Sequence, residues 1–345
     1  MKQWIALAIV ATVLPVSSCR KSSTIIETTP PPSAAGVYVV NEGGFSGGAS
    51  LSYYDKQRDS MFNAVIGASA NWTFPNDMII LGGKGYVAVN GSDRVDVLNL
   101  SAPSVAKSIQ FPQFSGPGYL AADGSTLFVA NYDGSVSIVA AGIDTLRTTT
   151  PAAVKFPGGI AFTNGKVFVS DYGTYVNNQF VAGHYVKIFS PALAQVTDSV
   201  RVGDAPGAMT VMSGKLFVVC VGSATAQPRL YQIDPNVDRA DDSLQIPGSV
   251  SDLANDGRYL YVLSSNGVGR FALQPLRTLQ NPYITRTNGI YFYSLAVDAS
   301  SGDIYVTNVV SSGGSGELEI YALMGTLKRR PMPVGIFPGA LCFRR

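Results

Sequence analysis

The sequence predicts an all-β fold, a seven-bladed propeller with four antiparallel strands per blade, and three observations carry that expectation. First, a tight glycine turn between two apolar runs recurs at Gly83, Gly124, Gly165, Gly214, Gly257 and Gly302, so successive turns lie 41, 41, 49, 43 and 45 residues apart. A fixed period of this size marks a repeat architecture whose units cannot bury their faces alone. Second, the run before the turn commonly opens on Pro-Gly, as in Pro117-Gly118, Pro157-Gly158 and Pro206-Gly207. Third, the ends of the chain are complementary. The first apolar run, Val37-Tyr38-Val39-Val40-Asn41, has no partner before it, and the last, Pro338-Gly339-Ala340-Leu341-Cys342-Phe343, has no turn after it.

In chain order, Lys2 precedes an apolar run from Trp4 to Leu14, too short to cross a bilayer as a stable helix and suited to a secretion signal. It closes on Val16-Ser17-Ser18-Cys19, which resembles the lipobox of bacterial lipoproteins. Residues 1–18 are therefore expected to be a lipoprotein signal peptide and Cys19 to carry the lipid, anchoring the protein to a membrane of the bacterial envelope, the outer membrane in particular. Residues 19–35 are Ser-, Thr- and Pro-rich, cannot bury a core, and read as a flexible tether. The propeller is expected over 36–345, about 44 residues per blade.

Within a repeat, an inner strand leads into the Gly turn, a second strand follows it, and two further strands complete the blade. Asp123-Gly124 and Asn164-Gly165 are preferred tight-hairpin dipeptides, each before an aromatic and branched strand such as Leu127-Phe128-Val129. Second strands are expected to start near 37, 86, 127, 167, 216, 260 and 304. The C-terminal run then supplies the inner strand of the first blade and closes the ring. Four outer-strand sites, among them Asp59-Ser60-Met61 and Asp198-Ser199-Val200, resemble an Asp-Ser/Thr-apolar signal for O-glycosylation.

Composition narrows the function. Charged residues make up 14% of the chain and the formal net charge is +2, which leaves no electrostatic footprint for nucleic acid. A single histidine cannot build a multi-histidine metal site, and Cys220 and Cys342 fall in different blades, which favours two free thiols over a disulfide. No metal and no cofactor are expected. Neither paired carboxylates beside a base nor a Gly-x-Ser-x-Gly nucleophile motif is present, so no catalytic residue is assigned and the chain reads as a non-enzyme.

Ile304-Tyr305-Val306-Thr307-Asn308 spells the signature of the YVTN-type propeller repeats, with Leu127-Phe128-Val129-Ala130-Asn131 and Val167-Phe168-Val169-Ser170-Asp171 as close variants. The opening Val39-Val40-Asn41-Glu42-Gly43 is similar to the start of envelope propeller lipoproteins that include surface cobalamin-binding proteins. The resemblance implies a seven-bladed propeller held at the envelope and, as ligand, a corrinoid.

The Pro-Gly entries and the ends of the second strands must share one face of the ring. Longer connections on that face, Glu42 to Gly48, Tyr172 to His184, Ser223 to Arg229 and Val309 to Gly316, are where a rigid scaffold usually carries binding. The expected ligand contacts are Phe45, Asn90, Tyr132, Asp171, Tyr172, Tyr175, Phe180 and Asn308, a mixture of flat apolar surface and hydrogen-bonding groups. A monomeric propeller would use them to capture a small molecule without altering it. Two other readings stay open: a scaffold docking an outer-membrane transporter through the same rim, and a lactonase-like hydrolase, which would need Glu42, Asp171, Arg94 or His184 to converge at the channel.

Overall fold

The computed structural model describes residues 35–345 except Asn266. The expected signal peptide over 1–18, the expected lipid-bearing Cys19 and all but the last residue of the expected tether over 19–35 lie outside the described residues. The described chain forms a ring of seven four-stranded antiparallel sheets, with only two single-turn 3₁₀ segments beside its 28 strands.

The inner strands are Pro75–Leu81, Pro117–Asp123, Pro157–Thr163, Pro206–Met212, Val250–Asn255, Tyr291–Asp298 and, last in the chain, Pro338–Arg344. The last of these pairs with Gly36–Asn41 in register Val37↔Phe343, Val39↔Leu341, so the C-terminus completes the first blade as expected. Second strands begin at Gly36, Lys84, Thr126, Lys166, Lys215, Leu260 and Asp303, all within two residues of the expected starts.

Second strands are buried on both sides because each lies between two neighbouring blades. Side chains alternate along them, so one strand serves two cores. Tyr38 and Val40 pack on Val87 and Val89 of the second blade, whereas Val37 and Val39 pack on Tyr305 and Leu318 of the seventh. Seven such hydrophobic clusters fill the seven interfaces, one each. Outer strands such as Thr145–Thr149 and Gln195–Arg201 are mostly exposed, which explains their polar sequence.

The turns of the face opposite the entries follow the hairpin chemistry of the sequence. Asn164 and Gly165 take φ of 51° and 71°, and Ser213 and Gly214 take 52° and 74°, the mirror-image turn that suits strand twist. Two of the lysines that follow such turn glycines reach into the adjacent blade: Lys84 pairs with Asp144 at 2.6 Å and Lys166 with Asp238 at 2.6 Å. Cys220 and Cys342 are buried free thiols in different blades.

Candidate functional site

Each inner strand begins with a slip in register against its second strand, so that one extra residue stands unopposed near the start in all seven blades. A bulge of this kind re-aims side chains at the end of a sheet. The residue after the opening Pro or its equivalent is Gly118, Gly158, Gly207 and Gly339 in four blades, and Asn76, Ser251 and Tyr293 in the other three. Glycine is required where backbones converge: a Cβ on Gly158 would lie 2.6 Å from the Pro206 carbonyl oxygen and 2.8 Å from Gly207 Cα. The Pro-Gly entries thus leave part of the channel wall bare, and the three departures furnish it.

The resulting channel has an entry cavity of about 520 Å³ lined by Glu42, Asn76, Tyr119, Ser251, Asp252, Tyr291 and Tyr293 opposite Gly158 and Ala208. A deeper section of about 260 Å³ is lined by Asp77, Leu120, Met209, Asp252, Ser294 and Leu341. All seven inner strands contribute, and no lysine, arginine or histidine lines either section.

Three carboxyls therefore share a cavity without a cation. Burial pushes Glu42 up to about 7, partly offset by the Tyr293 hydroxyl, which donates to Glu42 Oε2 at 2.8 Å. Asp77 and Asp252 are each raised to about 6, again chiefly by burial. These two occupy the same position in the second and sixth blades and play the same part. Asp77 Oδ2 accepts from the Leu120 N–H at 2.9 Å and Asp252 Oδ2 from the Leu295 N–H at 2.8 Å, each fastening its inner strand to the next blade. Above them, Tyr132 stacks on Phe156 with centroids 4.5 Å apart and its hydroxyl accepts from Asn76 Nδ2 at 3.4 Å.

Every exposed aromatic side chain of the described residues lies on this entry face. Phe45, Phe114, Phe156, Tyr175, Phe180 and Tyr291 stand exposed around the channel, whereas the opposite face exposes only aliphatic groups, Ile143, Leu193, Val237, Leu323, Met324 and Leu327.

The expected contacts separate into groups. Tyr172, Tyr175 and Phe180 form one cluster, with Phe180 5.3 Å from Tyr172 and 5.5 Å from Tyr175. It sits on a hairpin extension of the fourth blade, Lys166–Val176 with Gln179–Ser190, turned by Asn177 and Asn178 at positive φ. Tyr172 also borders a small cleft with Phe156, Tyr119 and Gly207. Asn90 and Tyr132 share a shallow depression with Phe114 and Phe156. Phe45 stands apart, edge-on to Phe74 at 5.6 Å.

Two expected contacts are corrected to braces. Asn308 is fully buried, and its amide donates to Glu319 Oε1 at 2.8 Å and to Asn288. Asp171 is buried and accepts from the Lys155 N–H at 2.9 Å. The equivalent Asn41 and Asn131 each hold two serine hydroxyls of the neighbouring strand, which is why an asparagine closes the second strand. Nor do the four residues of the hydrolase reading converge. Glu42 lines the channel, but Arg94 is paired with buried Asp96 at 2.9 Å and His184 with Asp204 at 3.0 Å on the hairpin side.

Sequence reasoning missed Asn76, Asp77, Tyr119, Asp252, Tyr291 and Tyr293. The available signal was the loss of Gly after the entry residue at 76, 251 and 293.

Fold and site define a seven-bladed β-propeller, open on one aromatic face. Solved structures agree at the level of fold. A functionally unknown protein from Desulfotomaculum acetoxidans superimposes with TM-score 0.69 at 13% identity, covering 90% of this chain and 99% of that one. A quinonprotein alcohol dehydrogenase-like protein from Bacteroides thetaiotaomicron gives 0.68 at 14% identity over 91% and 79% of the two chains. Hydrazine synthase of Kuenenia stuttgartiensis gives 0.63 at 15% over 78% and 89%. No protein-family model and no curated protein matches the chain.

Proposed function

We propose that this propeller captures a ligand on its entry face and releases it chemically unchanged. The observation that supports this most is the segregation of exposed aromatics onto the one face that also opens into the channel. Exposed rings beside convergent hydrogen-bonding groups favour a partly apolar ligand with polar arms. A hydrolase reading draws on Glu42 alone, because the other residues it needs are paired elsewhere. The scaffold reading, docking to an envelope transporter, draws on Phe45 and Phe114, which are exposed on the same rim and line neither section of the channel.

The resemblance noted in the sequence makes a corrinoid the specific candidate. The motif ending at Cys19 supports attachment to the bacterial envelope by a lipid anchor, with more than one acyl chain needed for stable attachment. Calorimetry with cobalamin tests the ligand, and the Tyr172→Ala/Tyr175→Ala variant tests the hairpin cluster. Micromolar binding that weakens in the variant is expected. No heat at micromolar protein rejects the corrinoid, and unchanged affinity in the variant removes the hairpin from the site. Retention of Cys19→Ser in the membrane fraction, still acylated, would refute the anchor.

A further inference from the structure

We propose that the entry cavity of the channel receives a protonated amine and seats it between Glu42, Asn76 and the rings of Tyr291 and Tyr293, a subsite for an organic ammonium separate from the hairpin cluster proposed for the corrinoid, whose arms are neutral amides. This goes beyond the corrinoid and rests only on capture at the entry face.

Four observations converge. The cavity is large enough for a compact functional group with a short stem, about 520 Å³, and it opens directly beneath the exposed rings. Its charged lining is entirely acidic, Glu42 and Asp252 with Asp77 just below, and no basic side chain of either section neutralises them. The Oδ1 of Asn76 is a buried acceptor with no hydrogen-bond partner. A buried acceptor left alone is costly, and the usual resolution is a donor that arrives with water or ligand. Finally, the acidic side of the cavity carries phenol rings, Tyr291 and Tyr293 with centroids 5.9 Å apart, whereas the opposite wall is the bare backbone of Gly158 and Ala208. Rings attract a cation through their faces, most strongly where water is excluded. An ammonium supplies up to three donors, a positive charge for the carboxyls and no acceptor to conflict with them.

An anion fits none of these features, and a neutral hydroxyl would meet only the hydrogen-bonding part. The groups that face Glu42 are Tyr291 and Tyr293 of the seventh blade and Tyr119 and Tyr132 of the third, while Asp252 of the sixth shares the cavity and Asp77 of the second, coupled to Asp252, lies in the deeper section. With no base among them, raising the pH only adds negative charge.

The test compares three probes of one shape, benzylamine, benzyl alcohol and benzoate, by ligand-observed NMR against the full chain at pH 6 and pH 8, where the benzylammonium keeps its charge. Benzylammonium should bind about tenfold more tightly than benzyl alcohol, more tightly at pH 8 than at pH 6, and lose most of that preference in Glu42→Gln. Benzoate should not bind. Asn76→Ala, which keeps every charge, should weaken benzylammonium and benzyl alcohol alike, and unchanged binding of both would remove Asn76 from the seat. Equal binding of amine and alcohol, or a preference that survives Glu42→Gln, overturns the ammonium while leaving ligand capture standing. Absence of all three at millimolar concentration overturns the cavity as the seat of binding.

Discussion

Tyr293 donates its hydroxyl proton to Glu42 across 2.8 Å, joining the seventh blade to the first over 251 residues of sequence. The bond lies at the ring closure and at the channel entry together, so the same contact reports on assembly and on the electrostatics of the site.

The first prediction concerns pH. Glu42, Asp77 and Asp252 all have folded-state pKa values above their ordinary ones, about 7, 6 and 6. A carboxyl raised by folding leaves stability intact while it stays protonated and lowers it as pH rises through the folded pKa. Thermal stability should therefore fall between about pH 4 and pH 7, and Glu42→Gln should remove the upper part of that fall. Raising a pKa by one corresponds to about 1.4 kcal/mol, so Glu42 accounts for at most about 3 kcal/mol. Unfolding temperatures of both proteins across that range check it, and a rising profile would contradict it.

A second pair of variants separates two kinds of glycine. A Cβ on Gly158 meets backbone at 2.6 Å and 2.8 Å, which cannot move, whereas one on Gly339 meets the end of the Glu42 side chain at 2.0 Å, which can. Gly158→Ala should cost about 1–3 kcal/mol in denaturant unfolding. Gly339→Ala should cost less and instead displace Glu42, lowering the pH at which that carboxyl titrates as it moves toward water.

The closing strand gives the third. Removing residues 338–345 leaves Gly36–Asn41 with an unpaired edge and exposes the cores on both of its faces. The shortened chain should lose its cooperative thermal transition. A transition at the temperature of the intact protein would exclude closure by this strand.

Cys220 and Cys342 should remain reduced and slow to react. Burial pushes both thiols up to about 12, so little thiolate forms at neutral pH. A thiol reagent should label them only when denaturant opens the blades, and rapid labelling of the native protein would contradict their placement.

The fold was legible because its signals are local and repeated: the turn glycines, the apolar second strands and the unmatched ends at Val37 and Phe343. The fourth-blade hairpin was legible too, as an interruption of the period rich in Tyr, Asn and Phe. The channel was not. Glu42 lies beside Tyr293 only after the ring closes, and the sequence separation hides the pair. Asp77 and Asp252 read as ordinary strand polar residues until the bulges turn them toward the channel. Asn308 misled for the opposite reason, since a signature asparagine at a strand end looks exposed and is in fact tied to Glu319 inside the sheet.

The central claim is that binding belongs to the entry face alone, and hydroxyl-radical footprinting of the chain with and without cobalamin tests it most directly. Protection is expected at Phe45, Tyr172, Tyr175, Phe180 and Tyr291, with Met324 and Leu323 of the opposite face unchanged. Protection centred on Met324, or none on the aromatic face, would contradict the account.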